Sequence, residues 1–293
     1  MAADQRPVHA LPPHAIGHVV VRGATLPLID HGAGTPVALV HGTLGGLHDW
    51  LAHLPALAAR HRVLAWSRRH HAPGATPADA VHYTMAEQSQ DIGALLVQRG
   101  ATPAAIVGHS YGAYVALHLA LAAPPLVRAL VLCEPPVLPW LAMMPDGHDD
   151  WAAFERNALQ PAALAFARGD AASGVARFME GITGRPFALA RLAPAVRDAL
   201  MAQAPALHAE LATPRGDYMP TLDAAAVARL EIPILLVRGG RSPRPFQLLM
   251  DRLQALLPGA DTVTIAGRGH DMIGDVSGFD DAVLAFLSRR DVT

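Results

Sequence analysis

Short apolar runs alternate with helical patterns along most of this chain, and that alternation limits the possible folds more than any other feature. Two runs around Gly23, His18–Arg22 and Leu26–Asp30, predict an antiparallel hairpin. The later predicted strands are Val37–Val40, Val63–Trp66, Ala105–Val107, Ala129–Cys133, Ile234–Val237 and Thr262–Ile265. Segments with the i, i+3, i+4 spacing of helices are Leu54–Arg60, Met85–Arg99, Tyr111–Ala122, Phe246–Leu257 and Phe279–Arg289. This order predicts an α/β fold with a mostly parallel sheet covered on both faces.

The alternation stops between Pro136 and about Asp217, where only helical patterns occur. They cover Asp149–Ala158, Pro161–Ala167, Gly174–Gly181 and Ala193–Ala212. We therefore predict a core in two parts, 1–136 and 218–293, with a helical lid at 137–217 over the carboxyl ends of the strands, where open α/β sheets bind ligands. The expected substrate-binding residues are Leu44, Trp140, Met143, Met144, Trp151, Phe154 and Phe178. The alternative for the lid residues is a structural role in the core of a helical subdomain.

Composition excludes several classes of function. A net charge of −2 over 293 residues gives no reason to expect nucleic acid or an anionic membrane as a partner. The most apolar stretch, Tyr111 to Leu132, is cut by Pro124 and Pro125, which favours a buried helix and strand over a membrane span. The N-terminus lacks the apolar core of a signal peptide, and the single cysteine, Cys133, allows no intramolecular disulfide. We expect a cytoplasmic protein.

The stretch Gly108-His109-Ser110-Tyr111-Gly112 lies between a predicted strand and a predicted helix. This is the context of a nucleophile elbow, in which two glycines permit a tight turn that exposes the serine hydroxyl. The pattern by itself also arises by chance, so its partners decide its meaning.

An acyl-transfer site needs backbone donors for the oxyanion of its tetrahedral intermediate. The loop His41-Gly42-Thr43-Leu44-Gly45-Gly46 follows the strand VALV, and we expect the amides of Thr43 and Tyr111 to form the oxyanion hole, with Leu44 as the next candidate. Taken alone, the loop could equally be an ordinary glycine-rich turn.

A serine nucleophile also needs a base and an orienting acid. His270 is the candidate base because it lies in a glycine-flanked loop between the last strand and the last helix. The usual acid position, past the glycines of ILLVRGG, is occupied by Ser242. We predict that Glu134, in LVLCEPP at the end of the neighbouring strand, is the acid instead, with a hydrogen bond from Ser242 to Glu134 or His270.

Other assignments of the acid remain open at this point. Glu134 could have a structural role, capping a loop or pairing with an arginine such as Arg241. Asp271 and Asp275 are weaker rivals, because carboxylates so near His270 in sequence are poorly placed to reach its ring. The sixteen histidines are not accompanied by clustered cysteines or carboxylates, so no zinc site is expected.

With His41-Gly42, the Gly108–Gly112 elbow and Gly269-His270 in this order, the chain resembles the α/β-hydrolase superfamily. It is similar to the subset whose acid follows the sixth strand, which includes one subfamily of haloalkane dehalogenases and the zearalenone-type lactonases. The stretch LVLCEPP followed by RGGRSP also resembles bacterial α/β hydrolases of undefined substrate. Ser110 departs from the aspartate of dehalogenases and epoxide hydrolases, and AWSRRHHAPG at 65–74 replaces the more usual Asp-x-Arg-Gly-x-Gly.

These observations predict a serine hydrolase that cleaves a carboxylic ester or lactone of moderate size and apolar character. No metal or organic cofactor is implied, and we expect a small-molecule substrate and a monomer or homodimer. Two alternatives remain: a carbon–carbon bond hydrolase or cofactor-free haloperoxidase on the same triad, and a ligand-binding protein on a hydrolase scaffold that has lost turnover.

Overall fold

A computed structural model describes residues 16–74 and 83–289 of the chain. The proline-broken N-terminus that lacks a signal-peptide core lies, up to residue 15, outside the described residues. The centre of the fold is an eight-stranded sheet in the order β1-β2-β4-β3-β5-β6-β7-β8. Its strands are β1 (Gly17–Val21), β2 (Ala24–His31), β3 (Pro36–Val40), β4 (Arg62–Trp66), β5 (Ala104–His109), β6 (Val127–Cys133), β7 (Ile234–Gly239) and β8 (Asp261–Ile265).

The predicted hairpin and the parallel sheet are both confirmed. β1 pairs with β2, and β2 pairs with β4, in antiparallel register, whereas every pairing from β4 through β8 is parallel. The carboxyl ends of β3 to β8 therefore meet at one edge of the sheet. Polar residues that follow these strands are brought together there, as the sequence predicted.

Side chains of the central strands alternate between two buried layers. On β5, Ala104 and Ile106 belong to one apolar cluster, and Ala105 and Val107 belong to the other. This period of two, with both faces buried, explains why the strand is an unbroken apolar run in the sequence.

Helices cover both faces of the sheet and form most of residues 138–218, which lie between β6 and β7. Outside that segment they are α1 (Leu54–Ala58), α2 (Met85–Gln98), α3 (Tyr111–Ala122), α10 (Ala224–Ala228), α11 (Arg244–Leu256) and α12 (Val276–Arg289). Within it they are α4 (His148–Phe154), α5 (Gln160–Ala167), α6 (Ala171–Thr183), α7 (Pro194–Met201), α8 (Ala204–Ala212) and α9 (Arg215–Tyr218). We call the segment Leu138–Tyr218, which begins with a 3₁₀ turn at Leu138–Met143, the helical insert.

Two prolines modify the helices that the sequence predicted for the insert. The single helix expected over Ala193–Ala212 is wrong: α7 ends at Met201 and α8 begins at Ala204, with Pro205 in the first turn of α8. Proline in a helix interior removes a hydrogen bond and clashes with the preceding turn, so it favours a new helix start. Between α4 and α5 the helix widens into a π turn at Glu155–Leu159, and Pro161, which has no N–H to donate, follows in the first turn of α5.

The apolar stretch from Tyr111 to Leu132 forms α3 and most of β6, separated by a 3₁₀ turn at Pro124–Leu126. Among the helices of the described residues, none combines the length and the apolar character needed to cross a membrane.

Candidate active site

Ser110 lies on a strained turn between β5 and α3. Its backbone angles are φ 52° and ψ −124°, a conformation that costs a non-glycine residue free energy and that is typical of a nucleophile elbow. The glycines on either side are required sterically. A Cβ on Gly108 would lie 2.5 Å from Ala113 Cα, and one on Gly112 would lie 2.3 Å from Val40 O. The turn leaves Ser110 half-buried at the carboxyl edge of the sheet.

The structure brings the three predicted triad residues into one hydrogen-bonded chain. Ser110 Oγ lies 2.8 Å from His270 Nε2, and His270 Nδ1 lies 2.7 Å from Glu134 Oε2. Since a carboxylate can only accept, the neutral imidazole carries its proton on Nδ1 and leaves Nε2 free to accept the serine proton. This is the relation between nucleophile, base and orienting acid that acyl transfer requires.

Glu134 is buried but well partnered. It directly follows β6, it is 1% exposed, and its Oε1 accepts a hydrogen bond of 2.7 Å from the amide of Gly239 at the end of β7. Burial raises the pKa of this carboxyl, but the hydrogen bond and charge of His270, with smaller contributions from Ser242 and Gly239, outweigh burial and leave the pKa below its ordinary value. Glu134 is therefore held as a carboxylate.

The imidazole of His270 is fixed by groups on two other elements. The ring of Phe246, at the start of α11, stacks on it with centroids 3.9 Å apart. His109, the residue before the nucleophile, donates from Nε2 to the carbonyl oxygen of His270 at 2.7 Å. Burial and the neighbouring His270 lower the pKa of His109 to about 4, so His109 is a neutral support. The sequence analysis assigned no role to His109.

The alternatives for the acid lie elsewhere. Asp271 Oδ1 accepts from the amide of Gly269, and Asp275 Oδ1 lies 3.5 Å from the amide of Gly278 at the start of α12. Ser242 is buried next to Glu134 and contributes to its lowered pKa. Its Oγ nevertheless has no hydrogen-bond partner of good geometry among the described residues. Ser242 therefore lies beside Glu134 without forming the predicted hydrogen bond in good geometry.

The loop after β3 passes directly against the nucleophile. A Cβ on Gly42 would lie 2.9 Å from Ser110 Cβ, so only glycine allows this approach. Thr43 follows and is half-buried, while Leu44 is buried with a φ of 60°. Tyr111 is the first residue of α3, where an amide has no acceptor within the helix. The two predicted oxyanion donors thus lie next to Ser110 on separate elements.

A buried polar cluster beyond the triad was missed from the sequence. It joins the loops after β3 and β4 to the insert and consists of His41, Arg68, His71, Tyr83, Tyr111, Glu210 and Tyr218. Arg68 is 2% exposed and Glu210 is 0% exposed, and their charged groups are 3.7 Å apart. The signals were the unusual loop AWSRRHHAPG and a glutamate within the apolar helix APALHAELA.

Glu210 and the aromatic residues of this cluster anchor the insert beside the oxyanion loop. Tyr218 OH donates to Glu210 Oε2 at 2.9 Å, and the ring of Tyr218 stacks on Tyr111 with centroids 4.6 Å apart. Tyr218 OH also lies 3.3 Å from Thr43 Oγ1. Burial raises the pKa of Glu210, although Arg68 and neighbouring hydroxyls oppose that shift. Tyr218 thus contacts side chains of both expected oxyanion residues.

The predicted substrate-binding residues of the insert fall into three groups. Trp140, Phe154 and Phe178 are buried in the large apolar cluster, and the indole N–H of Trp140 donates to Leu222 O at 2.8 Å. Met144 and Trp151 are partly buried against the same cluster. Met143 is 64% exposed on the outer side of its 3₁₀ turn, so this arrangement does not place it in an enclosed pocket. For the others, lining a pocket stays a prediction.

The described residues offer little for a metal or a second nucleophile. Within 16–74 and 83–289 no group of three or more His, Cys, Asp and Glu side chains is arranged to hold a metal ion. Cys133 is buried, and burial with the adjacent Glu134 raises the pKa of its thiol. Ser110 is therefore the candidate nucleophile at this edge of the sheet.

Comparison with protein-family models defines the class. The chain matches the model of the α/β hydrolase fold over residues 35–275. The protein belongs to the α/β hydrolase fold family.

Particular relatives match over shorter segments. The protein named "Putative carbamate hydrolase RutD" from Azorhizobium caulinodans is 37% identical over 102 residues, which are 35% of this chain and 38% of the relative. The dihydrolipoyllysine-residue acetyltransferase component of the acetoin cleaving system from Pseudomonas putida is 39% identical over 99 residues, 34% of this chain and 26% of the relative. The chain thus spans less than half the length of these curated relatives.

Solved structures match over nearly the whole chain. An α/β hydrolase from Sphaerobacter thermophilus has a TM-score of 0.70 at 25% identity and covers 92% of this chain and 100% of its own. Est816, an N-acyl homoserine lactone degrading enzyme, has the same TM-score and coverage at 20% identity. The likeness to Est816 shows the fold alone.

Proposed function

We propose that the protein is a serine hydrolase that cleaves a carboxylic ester or lactone through an acyl-enzyme. The observation that carries the proposal is the chain of hydrogen bonds from Ser110 Oγ to His270 Nε2 at 2.8 Å and from His270 Nδ1 to Glu134 Oε2 at 2.7 Å. Membership of the α/β hydrolase fold family and the hydrolases among its relatives support the same conclusion.

In the first half of the reaction, Ser110 Oγ attacks the acyl carbon while His270 Nε2 takes the serine proton. The resulting imidazolium is stabilised by Glu134, whose lowered pKa keeps it ionised. The oxyanion accepts hydrogen bonds from the amides of Thr43 and Tyr111. The intermediate collapses as His270 returns the proton to the departing alkoxide, which leaves the acyl group on Ser110.

In the second half, a water molecule attacks the acyl carbon while His270 Nε2 takes a proton from that water. The tetrahedral intermediate collapses as His270 returns the proton to Ser110 Oγ, which breaks the ester bond and releases the carboxylic acid. For a lactone, the alcohol freed in the first step remains part of the acyl chain and leaves with the product. Both substrates therefore use one site and one sequence of proton transfers.

The substrate is proposed to be a small, moderately apolar molecule bound beneath the helical insert, which acts as a lid over the nucleophile. Apolar side chains of the insert, among them Met144 and Trp151, are partly buried against the large apolar cluster, which supports an apolar substrate. A carbamate also has a carbonyl carbon open to attack, and the partial similarity to the relative named "Putative carbamate hydrolase RutD" makes carbamates a useful part of the substrate panel.

The test combines covalent labelling with turnover. A fluorophosphonate probe is expected to label wild-type protein with one probe per chain, while Ser110→Ala takes up none and the exposed control Ser288→Ala labels like wild type. Short p-nitrophenyl esters, lactones and carbamates are then assayed with the same three proteins.

Hydrolysis that depends on Ser110 supports the proposal. Labelling without hydrolysis of any panel member overturns the substrate class and directs attention to carbon–carbon bond cleavage or haloperoxidation. Absence of both labelling and turnover in folded protein overturns the proposal that the protein is an enzyme and favours a ligand-binding protein.

A further inference from the structure

The guanidinium of Arg68 is buried behind the loop that carries the expected oxyanion donor. Its Nε donates to His41 O at 3.0 Å and its Nη2 donates to Gly42 O at 3.1 Å. Its Nη1 donates to Gln88 Oε1 at 3.2 Å and also contacts Tyr83 OH. One planar side chain thus holds two consecutive carbonyl groups of the loop after β3, an arrangement that a lysine cannot reproduce.

The contact with Gly42 O fixes the direction of the Thr43 amide. The carbonyl of Gly42 and the N–H of Thr43 belong to one planar trans peptide, so they point in opposite directions. Gly42 O also receives the amide of Gly45 at 3.2 Å and lies 2.9 Å from Nδ1 of His41. Holding that oxygen from behind therefore aims the Thr43 N–H away from Arg68.

His41 also holds the carbonyl oxygen of Gly42, because the contacts of its ring define its tautomer. The amide of Arg68 donates to His41 Nε2 at 2.8 Å, so the proton of the neutral ring is on Nδ1 and is donated to Gly42 O. Burial, with the charge of Arg68, lowers the pKa of His41 well below its ordinary value, which keeps the ring neutral. Both His41, which belongs to the loop, and Arg68 therefore donate hydrogen bonds that hold the Gly42 carbonyl in place.

The charge of Arg68 adds an electrostatic effect to this geometry. A charge-assisted hydrogen bond to Gly42 O polarises the peptide and makes its N–H a stronger donor, an effect that is larger in a buried site of low dielectric. Preorganised donors of this kind stabilise an oxyanion because they need no reorientation when its charge develops.

The carboxylate that balances this charge comes from the insert. Glu210, on α8, places Oε1 3.7 Å from Arg68 Nη2, and both side chains are essentially inaccessible to solvent. The same carboxylate accepts the hydrogen bond of Tyr218, which stacks on Tyr111. Displacing the insert would take away the carboxylate nearest to Arg68 and so remove the charge that balances the guanidinium.

We propose that Arg68 is a positioning residue of the oxyanion hole. We also propose that Glu210 couples this effect to the insert, because Arg68 has this carboxylate beside it only when the insert is packed against the loops. Arg68 acts through the Gly42–Thr43 peptide and does not touch substrate. This inference rests on the proposed serine hydrolase. The competing explanation is a purely structural ion pair that holds the loops together and affects stability only.

The test compares adjacent arginines of one loop. Arg68→Gln removes both the charge and the planar guanidinium, whereas Arg68→Lys keeps only the charge. Arg69→Gln is the matched control, because Arg69 pairs with Asp91 at 2.7 Å and not with the loop after β3. For Arg68→Gln we expect kcat to fall about 10–100-fold with KM changed less than about threefold, since loss of a whole oxyanion donor costs about 10²–10³-fold. Arg68→Lys is expected in between, and Arg69→Gln near wild type.

A second readout separates positioning from stability. The inhibition constant of a trifluoromethyl ketone, whose adduct with Ser110 carries an oxyanion, is expected to rise in parallel with the loss of kcat/KM. Thermal unfolding and final fluorophosphonate stoichiometry count the folded sites in each variant. Glu210→Gln is expected to weaken ketone binding in the same direction and by less than Arg68→Gln does.

The outcomes are distinct. If wild-type protein labels and turns over, but folded Arg68→Lys and Glu210→Gln keep wild-type kcat and ketone affinity, Arg68 and Glu210 are structural and the inference is overturned. The same holds if Arg69→Gln loses as much kcat as the Arg68 variants. If wild-type protein neither labels nor turns over, the proposed function fails and the inference fails with it.

Discussion

Two buried glutamates, Glu134 after β6 and Glu210 on α8 of the insert, have surroundings that differ in kind. Glu134 follows β6 and is bound by His270 and a backbone amide, so its pKa is lowered despite burial. Glu210 comes from the insert, approaches Arg68 only to 3.7 Å and keeps Oε1 without a hydrogen-bond partner among the described residues, so burial raises its pKa. Strong pairing keeps Glu134 charged, as the proposed role of orienting acid requires. The looser pairing of Glu210 belongs to a contact between the insert and the loop after β4.

The largest expected effect is on the strongly paired glutamate. Glu134→Gln preserves shape but removes the charge that stabilises the His270 imidazolium, so we expect kcat to fall by about 10³–10⁴-fold. Steady-state kinetics on the best ester of the panel measures it. Glu231→Gln, at an exposed position before β7, is the control and should retain full activity. Near-wild-type turnover in folded Glu134→Gln would assign the acid to another carboxylate.

Glu210, the loosely paired glutamate, is expected to matter for stability when a substitution removes both its charge and its hydrogen-bonding shape. Glu210→Leu leaves Arg68 and the hydroxyl of Tyr218 without this partner in a buried site, and we expect a loss of about 3–5 kcal/mol in the free energy of unfolding. Urea unfolding measures it. Glu210→Gln, which can still accept from Tyr218, should lose less. Equal stability of wild type and Glu210→Leu would show that the insert is held by other contacts.

The pH dependence of stability should have opposite sign for the two glutamates. The pKa of Glu134 lies below 4.5, so its stabilising contribution is complete above pH 4.5 and is lost as the pH falls through the folded pKa. The pKa of Glu210 lies above 4.5, so its contribution is complete below pH 4.5 and is lost as the pH rises through the raised value.

Unfolding free energies between about pH 3 and about pH 8 check this directly. The stability difference between wild type and Glu134→Gln should grow with rising pH, and that between wild type and Glu210→Gln should shrink. Parallel slopes for the two variants would contradict the contrast between the sites.

The smallest effect is expected at Ser242, next to Glu134. Its hydroxyl is buried and lacks a hydrogen bond of good geometry, so Ser242→Ala should change stability by no more than about 1 kcal/mol and kcat by less than about threefold. Kinetics and unfolding on the same preparation measure both. A loss comparable to that of Glu134→Gln would mean that Ser242 is needed to orient the acid.

The sequence was most informative where function follows the ends of strands. Ser110, Glu134 and His270 each come directly after a strand or in the loop that follows it, and parallel strands bring such positions to one edge. The empty acid position at Ser242 led to Glu134, and the structure places that carboxylate against His270.

What could not be predicted depends on packing between distant segments. Nothing local in AWSRRHHAPG indicates that Arg68 meets a glutamate of the insert, because that contact depends on how α8 docks. The outward position of Met143 likewise follows from how the insert packs. The break between α7 and α8, by contrast, has a local signal in Pro205, which the prediction of a single helix overlooked. His109 has its role only because the His270 loop passes beside it.

The acyl-enzyme is the most direct test of the account. Wild-type protein mixed with an activated ester and quenched in acid should carry one acyl group on the peptide that contains Ser110, seen by mass spectrometry, with a burst of released alcohol. Ser110→Ala should show neither the adduct nor the burst. Hydrolysis that proceeds in Ser110→Ala, or an adduct on a different residue, would contradict the proposed mechanism.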